Sequence, residues 1–149
     1  MTTEQLGLGQ TDPRVLRLPD GLQTVGDDWF EGADIEKLII PSCVKTLGKH
    51  AFYDCKRLCE VVFEPSARLR SIGDYCFSHC GLEEITLPRS VRTIGACAFH
   101  SCERLRALRF EVGSQLKRVG RSAFFCTGLT REGVRYPESL PPEGHGAEW

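Results

Sequence analysis

Apolar residues recur along this chain in a fixed phrase, at relative positions zero, three and five. The copies are Ile35, Leu38 and Ile40; Leu58, Val61 and Phe63; Leu82, Ile85 and Leu87; and Leu105, Leu108 and Phe110. Pro13, Leu16 and Leu18 make a weaker first copy. The last two members of each triplet flank one outward residue, the alternation of a short strand with one buried face. LPDG, IPSC or LPRS follows some copies, and a longer FEPSA or FEVGS follows others. Proline cannot continue a central strand, so the pattern predicts that the strand stops there and the chain turns.

A second phrase follows each triplet: an aliphatic residue, then glycine, at Gly26, Gly48, Gly73, Gly95 and Gly120, in steps of 22, 25, 22 and 25 residues. Four places beyond each glycine stands a phenylalanine, Phe30, Phe52, Phe77, Phe99 and Phe124. The longer connectors insert three residues, so the chain holds a duplicated unit of 47 residues. A period of this size marks a solenoid, in which each coil buries its apolar face only against its neighbours. One coil is predicted to contain a short parallel strand, a turn, a second extended piece ending at the glycine, and one turn of helix around the phenylalanine. The glycine is predicted to take a positive φ. Stacked coils would place equivalent residues about 5 Å apart, and the phenylalanines would form one spine, each worth about 2–3 kcal/mol when buried.

The segments IEKLIIPSCVKTLGKHAFYDC and LEEITLPRSVRTIGACAFHSC share the form LxxIxLPxxVxxIGxxAFxxC, which closely resembles the BspA-type leucine-rich repeat over residues 13–128. The resemblance implies an α/β repeat: a right-handed leucine-rich-repeat solenoid with a parallel concave sheet and short extended or single-turn helical pieces on the convex side. It also implies adhesion or host-surface binding as a family theme, although most such adhesins carry an export signal and many more repeats. The expected organisation is a weakly ordered segment at 1–12, a repeat domain at 13–140 with a terminal cap, and a flexible tail at 141–149. Val134 and Tyr136 are the candidate last strand, and Tyr136–Leu140 the candidate cover for the open end.

Composition narrows the function without naming it. A chain of 149 residues with 41% hydrophobic content is of single-domain length, and its formal charge of −1 provides no global field toward nucleic acid or an anionic membrane. No basic, apolar leader or membrane-spanning run is visible, so a cytoplasmic location and no membrane insertion are expected. Eight cysteines raise the question of chemistry. Seven places after the glycine the column reads Ala33, Cys55, Cys80, Cys102 and Thr127, which asks for a small buried side chain. Cys76 shares an apolar column with Trp29, Ala51, Ala98 and Ala123, whereas Cys97 shares a variable, exposed one with Asp28, His50, Tyr75 and Ser122. Cys97, His100 and Cys102 are close in sequence, but Cys102 is expected in the core with Cys97 and His100 on opposite sides of Phe99, a poor tetrahedral set. Cys59 lies outward on its strand with no histidine placed to activate it. No metal, cofactor or catalytic constellation is expected.

The outward strand residues supply the candidate binding surface on the concave face: Glu36, Ile39, Glu60, Val62, Glu83, Glu84, Thr86, Arg106 and Arg109. Ile39, Val62 and Thr86 would form an apolar centre inside a charged rim, as at an interface. The plainer reading is that Arg14–Glu36 and Glu83–Arg106 pair across strands, each worth a few tenths of a kcal/mol. A second column, Gln23, Lys45, Arg70, Arg92 and Lys117, extended by Arg118 and Arg121, reads as a solvated basic flank. It lacks the interleaved aromatics of a single-strand nucleic-acid groove, so no nucleic-acid partner is expected. The expected function is a non-enzymatic protein-binding module or adaptor. The alternatives are a cell-surface adhesin fragment, a redox sensor or enzyme using Cys59 or Cys97, and a unit that self-associates end to end.

Overall fold

A computed structural model describes residues 12–146; the expectation for the N-terminal segment falls almost wholly outside them. Every triplet becomes a short strand: β1 (Val15–Arg17), β3 (Lys37–Ile40), β5 (Glu60–Phe63), β7 (Glu84–Leu87) and β9 (Ala107–Phe110). The residue pairs before the five glycines become β2 (Thr24–Val25), β4 (Thr46–Leu47), β6 (Ser71–Ile72), β8 (Thr93–Ile94) and β10 (Arg118–Val119). The even strands form one continuous parallel sheet, in the order β2, β4, β6, β8, β10. The odd strands face the other way as two separate parallel sheets, β1–β3–β5 and β7–β9. Register follows the repeat: Leu16 lies opposite Leu38, Leu38 opposite Val61, and Ile85 opposite Leu108.

The core lies between the walls and is built from the repeat columns. Phe30, Phe52, Phe77, Phe99 and Phe124 are buried and stack in sequence, with ring centroids 5.3, 5.4, 5.5 and 5.5 Å apart and planes within 17° of parallel. That spacing is set by the coil-to-coil rise of the parallel sheets and brings the rings into contact.

The third wall corrects two expectations. No helical turn forms around the phenylalanines, and the only helical element among the described residues is a 3-10 turn at Pro142–Gly144. The reason is where the amides go. His50, Phe52 and Asp54 donate to the carbonyls of Asp74, Cys76 and Ser78 in the next coil, at 2.9–3.0 Å. Between them, Ala51 and Tyr53 donate three residues back, to Gly48 and His50. Alternate amides are thus committed to a neighbouring coil, which leaves no run of i to i−4 bonds for a helix. The wall is the solenoid's third hydrogen-bonded surface.

The repeat glycines do not take positive φ either. Left-handed backbone falls two places later, at Asp28, His50, Tyr75, Cys97 and Ser122, and six places later, at Gly32, Asp54, His79, Ser101 and Cys126. The glycines serve close approach instead: a Cβ on Gly73 would stand 2.6 Å from the Gly48 carbonyl carbon, and one on Gly120 would stand 2.5 Å from that of Gly95. Cys97 therefore sits in a column constrained by backbone geometry, although its residue type varies.

Beyond Leu129, Val134 and Leu140 are buried, but no strand forms at Val134 or Tyr136. Residues 141–146 pack onto coil five: His145 bridges Val119, Gly146 donates to the Val119 carbonyl at 2.8 Å, and Ser122 donates to the Gly146 carbonyl at 3.1 Å. Gly146 repeats the close approach of the repeat glycines, with its Cβ position 2.9 Å from the Gly120 carbonyl carbon. It begins a sixth copy of that position. Among the described residues, no helix is long and apolar enough to cross a membrane.

Candidate functional site

The strand face is interrupted at one place: β5 and β7 are neighbours in the stack, yet no hydrogen-bonded ladder joins them. The groups left facing this seam follow from the bonds on either side. Glu64 donates to the Ile40 carbonyl at 3.0 Å, so Glu60, Val62 and Glu64 turn their main chain toward β3, and Val61 and Phe63 turn theirs toward β7. Arg106 donates to Glu83 at 2.9 Å and Glu111 to Leu87 at 3.1 Å, which leaves Glu84 and Thr86 facing β5.

β5 and β9 are entered through Cys55-Lys56-Arg57 and Cys102-Glu103-Arg104, but β7 is entered through Cys80-Gly81, one residue shorter. Gly81 presses on the preceding coil so tightly that a Cβ would stand 2.5 Å from the Lys56 carbonyl oxygen. At the far end Pro88 has no N–H to offer the Phe63 carbonyl. The same short corner occurs at Thr127-Gly128, after which no ladder strand follows among the described residues, and at Ala33-Asp34, where β3 nevertheless pairs with β1, so corner length alone does not decide the pairing.

A groove of about 690 Å³ lies over the seam. Val61, Val62 and Ile85 form its apolar part, Glu60, Glu83, Glu84 and Glu111 its acidic walls, and Arg106 its one basic lining residue. Val61 and Phe63 belong to core columns, yet the missing partner strand leaves both half-exposed. Of the nine residues predicted for the surface, Glu60, Val62, Glu83, Glu84, Thr86 and Arg106 line this groove. Glu36 and Ile39 lie beside it toward β3, and Arg109 lies outside its lining on β9. Sequence reasoning missed Val61, Phe63, Ile85, Ala107 and Glu111 as groove residues: Val61 and Phe63 are half-buried where the sheet opens, and Ile85 lines the groove while staying in the core.

Ion pairs ring the groove. Lys37 meets Glu60 at 3.1 Å, Arg109 meets Glu84 at 3.2 Å, and Arg14 meets Glu36 at 3.0 Å as the column predicts. Glu83 pairs with Arg104 rather than with Arg106, because Arg104 reaches it from the corner entering β9. Arg106 is left without an ion-pair partner among the described residues. All these side chains are at least one-third exposed, so each pair contributes about 0–1 kcal/mol and can be exchanged for another partner. On the flank, Arg70, Arg92 and Lys117 are exposed.

The fold and the sequence phrase identify the relatives. Residues 14–106 and 60–140 match the BspA type leucine rich repeat region, in six copies. The chain belongs to the BspA-type leucine-rich repeat family. Its fold is similar to that of the pneumococcal vaccine antigen PcpA, with a TM-score of 0.70 and 27% identity over 78% of this chain and 33% of that one. It is similar also to the T. pallidum leucine-rich repeat protein TpLRR, with a TM-score of 0.69 and 31% identity over 78% of this chain and 56% of that one. A leucine-rich repeat protein from Bacteroides capillosus matches with a TM-score of 0.59 and 25% identity, over 70% of this chain and 79% of that one. No curated protein matches the chain by sequence. The BspA-type repeat here spans about a third of the pneumococcal structure and just over half of the treponemal one.

The BspA-type phrase also accounts for most of the thiols. Cys55, Cys80 and Cys102 are buried, and each donates its S–H to a main-chain carbonyl, of Phe30, Phe52 and Phe77 respectively, at 3.0–3.2 Å. The column therefore selects a small side chain that is also a weak donor. Burial pushes the Cys102 thiol up to about 12 and raises the Cys76 and Cys80 thiols as well. Cys59 and Cys126 are exposed, and Cys43 and Cys97 are half-buried. His100 belongs to a ladder on the third wall, between His79 and Phe125, with its Nδ1 2.9 Å from Ser101 Oγ. Cys97, His100 and Cys102 thus serve three different neighbourhoods. Native labelling with a thiol reagent at pH 8 should modify Cys59 and Cys126 fastest, then Cys43 and Cys97, while Cys55, Cys76, Cys80 and Cys102 react only after denaturation. Rapid modification of Cys80 or Cys102 in the folded protein would contradict this order.

Proposed function

We propose that this chain is a non-enzymatic protein-binding module whose partner docks on the strand face at the groove between β5 and β7. The observation that carries the reading is the coincidence, at one place, of an apolar floor with a ring of exchangeable charges. The rest of the strand face is a closed ladder, whereas here Val61 and Phe63 are opened to the surface. The exposed thiols fit a catalytic reading poorly: no histidine contacts Cys59, and its S–H donates to the Glu36 carbonyl at 3.4 Å.

Paired reversal, Glu83→Lys with Glu84→Lys, is the direct test. Both residues are exposed and their ion pairs with Arg104 and Arg109 are weak, so the melting temperature should fall by no more than a few degrees. A partner captured by the unmodified protein should lose at least about tenfold in affinity, since two attractive charges become repulsive. Unchanged affinity in a folded variant would remove the groove from the binding surface. A second reading, a segment of a larger cell-surface array, is favoured by the likeness to a vaccine antigen of which this chain spans only 33%.

A further inference from the structure

We infer that the wall of even strands binds a linear polyuronate, an acidic polysaccharide with a carboxylate on each sugar, along the cationic column Lys45, Arg70, Arg92 and Lys117. This wall is separate from the strand-face groove, so the inference goes beyond the protein-binding role. Main-chain bonds put the four cations in register: Lys45 donates to the Gln23 carbonyl at 2.7 Å, and Arg70, Arg92 and Lys117 donate to the carbonyls of Lys45, Arg70 and Arg92 at 2.8 Å. Their side chains therefore start one coil apart, at about 4.8 Å. Lys45 is half-buried and the other three are exposed. Like charges in neighbouring strand positions repel, and no carboxylate among the described residues relieves them. The side chains of Arg70, Lys117 and Arg118 form no ion pair or hydrogen bond among the described residues, while Lys45 and Arg92 reach only neutral amide oxygens, of Gln23 at 3.1 Å and Gln115 at 3.5 Å.

Spacing selects among polyanions. An extended acidic peptide presents side chains on one face at every second residue, about 6.6–6.8 Å apart, so its carboxylates fall out of step with the coils. Single-stranded nucleic acid draws affinity from bases stacked on aromatic side chains as well as from backbone charge, and no aromatic residue stands in this column. An extended glycan advances by one sugar ring per residue, close to the coil rise, and each uronate ring brings one carboxylate that fits the guanidinium fork of Arg70 or Arg92. Beside the column, a groove of about 470 Å³ crosses β6, β8 and β10. Ser71 and Thr93 line it with hydroxyls that can both donate to and accept from sugar hydroxyls, and Arg118 lines its β10 end. Asp74 lines it too, with its carboxylate already accepting the Ala96 N–H at 2.8 Å.

The probe is hexagalacturonate, with its fully methyl-esterified form as the neutral control and hexaglutamate and hexathymidylate as competing polyanions. Amide chemical shifts of the isotopically labelled full chain give both affinity and position. Hexagalacturonate should bind saturably, with its largest shifts at Arg70, Ser71, Arg92, Thr93 and Lys117, and should weaken as sodium chloride is raised. The ester keeps the sugar hydroxyls but loses the charges, and should be at least about tenfold weaker. Arg70→Gln with Arg92→Gln should weaken the acid by at least about tenfold. The melting temperature of that variant should not fall, because two mutually repelling charges are gone. Arg131→Gln with Arg135→Gln removes the same net charge at exposed positions outside the column, and should leave affinity within about twofold.

No saturable binding of hexagalacturonate up to about 1 mM would overturn the inference and leave the column a solvated flank. Hexaglutamate or hexathymidylate binding as tightly as the glycan would overturn it by showing that charge alone is read, and an equally tight ester would show that charge is not read at all. Equal losses in the two double variants would replace the registered column with net charge. Shifts centred on Val61, Val62 and Thr86 would place the glycan on the strand face and overturn this wall as its site.

Discussion

Phe77→Ala is expected to lower the unfolding free energy by about 3–5 kcal/mol, the range for emptying a fully buried aromatic site. Phe77 has no exposed surface and lies between Phe52 at 5.4 Å and Phe99 at 5.5 Å. Its neighbours cannot collapse into the space, because the even-strand ladder and the hydrogen bonds of the third wall hold the coils at their spacing. The position matters as much as the volume. In an array stabilised by nearest-neighbour contacts, a defect in the middle coil separates two short halves. Urea unfolding followed by circular dichroism should therefore show a lower midpoint and a broader transition. Phe30→Ala, at the end of the spine with a ring neighbour in only one adjacent coil, should cost less. A loss below about 1 kcal/mol at Phe77 would mean that the spine is not continuous.

Gly73→Ala should be as damaging, for a different reason. The added Cβ would stand 2.6–2.7 Å from the carbonyl carbon and oxygen of Gly48 and the amide nitrogen of Lys49. All three are main-chain atoms that cannot rotate away. Relief requires the coils to part, which strains the bond from Gly73 N–H to the Leu47 carbonyl at 2.9 Å. Overpacking of this kind, with a hydrogen bond weakened, should cost about 3 kcal/mol or more. Gly113→Ala is the control, since nothing lies within 4 Å of its Cβ position and its φ of 79° is the sole penalty. That backbone penalty is about 1 kcal/mol. Comparable thermal destabilisation at Gly73 and Gly113 would show that close coil contact is not what requires glycine at the repeat position.

What could be read from the sequence was what the core enforces. Leu38, Val61, Ile85 and Leu108 repeat because their coils share a register, and Phe52, Phe77 and Phe99 repeat because each ring packs on the next. The third wall was not legible in this way. Its bonds are main chain to main chain, so His50, Tyr75 and Cys97 can share one left-handed backbone position while sharing no side-chain chemistry. Gly32, in the companion column, is the one residue whose type hints at that geometry. The seam was not legible either: Cys80-Gly81 is one residue short, but so is Ala33-Asp34, which leads into a strand that pairs. Column reasoning placed Glu83 opposite Arg106, and only side-chain reach decided for Arg104.

The third wall also gives the molecule an electrical direction. Asp28, Phe30 and Gly32 donate to coil two; His50, Phe52 and Asp54 to coil three; Tyr75, Phe77 and His79 to coil four; Cys97, Phe99 and Ser101 to coil five. Every one of these amides points the same way along the stack. Peptide dipoles aligned head to tail add, as they do along a helix axis, and leave partial positive charge at the donor end and partial negative charge at the acceptor end. The first coil is therefore the negative pole of this wall and the last coil its positive pole. Two such stacks can extend one another through this wall only nose to tail, because a reversed stack would bring acceptors against acceptors.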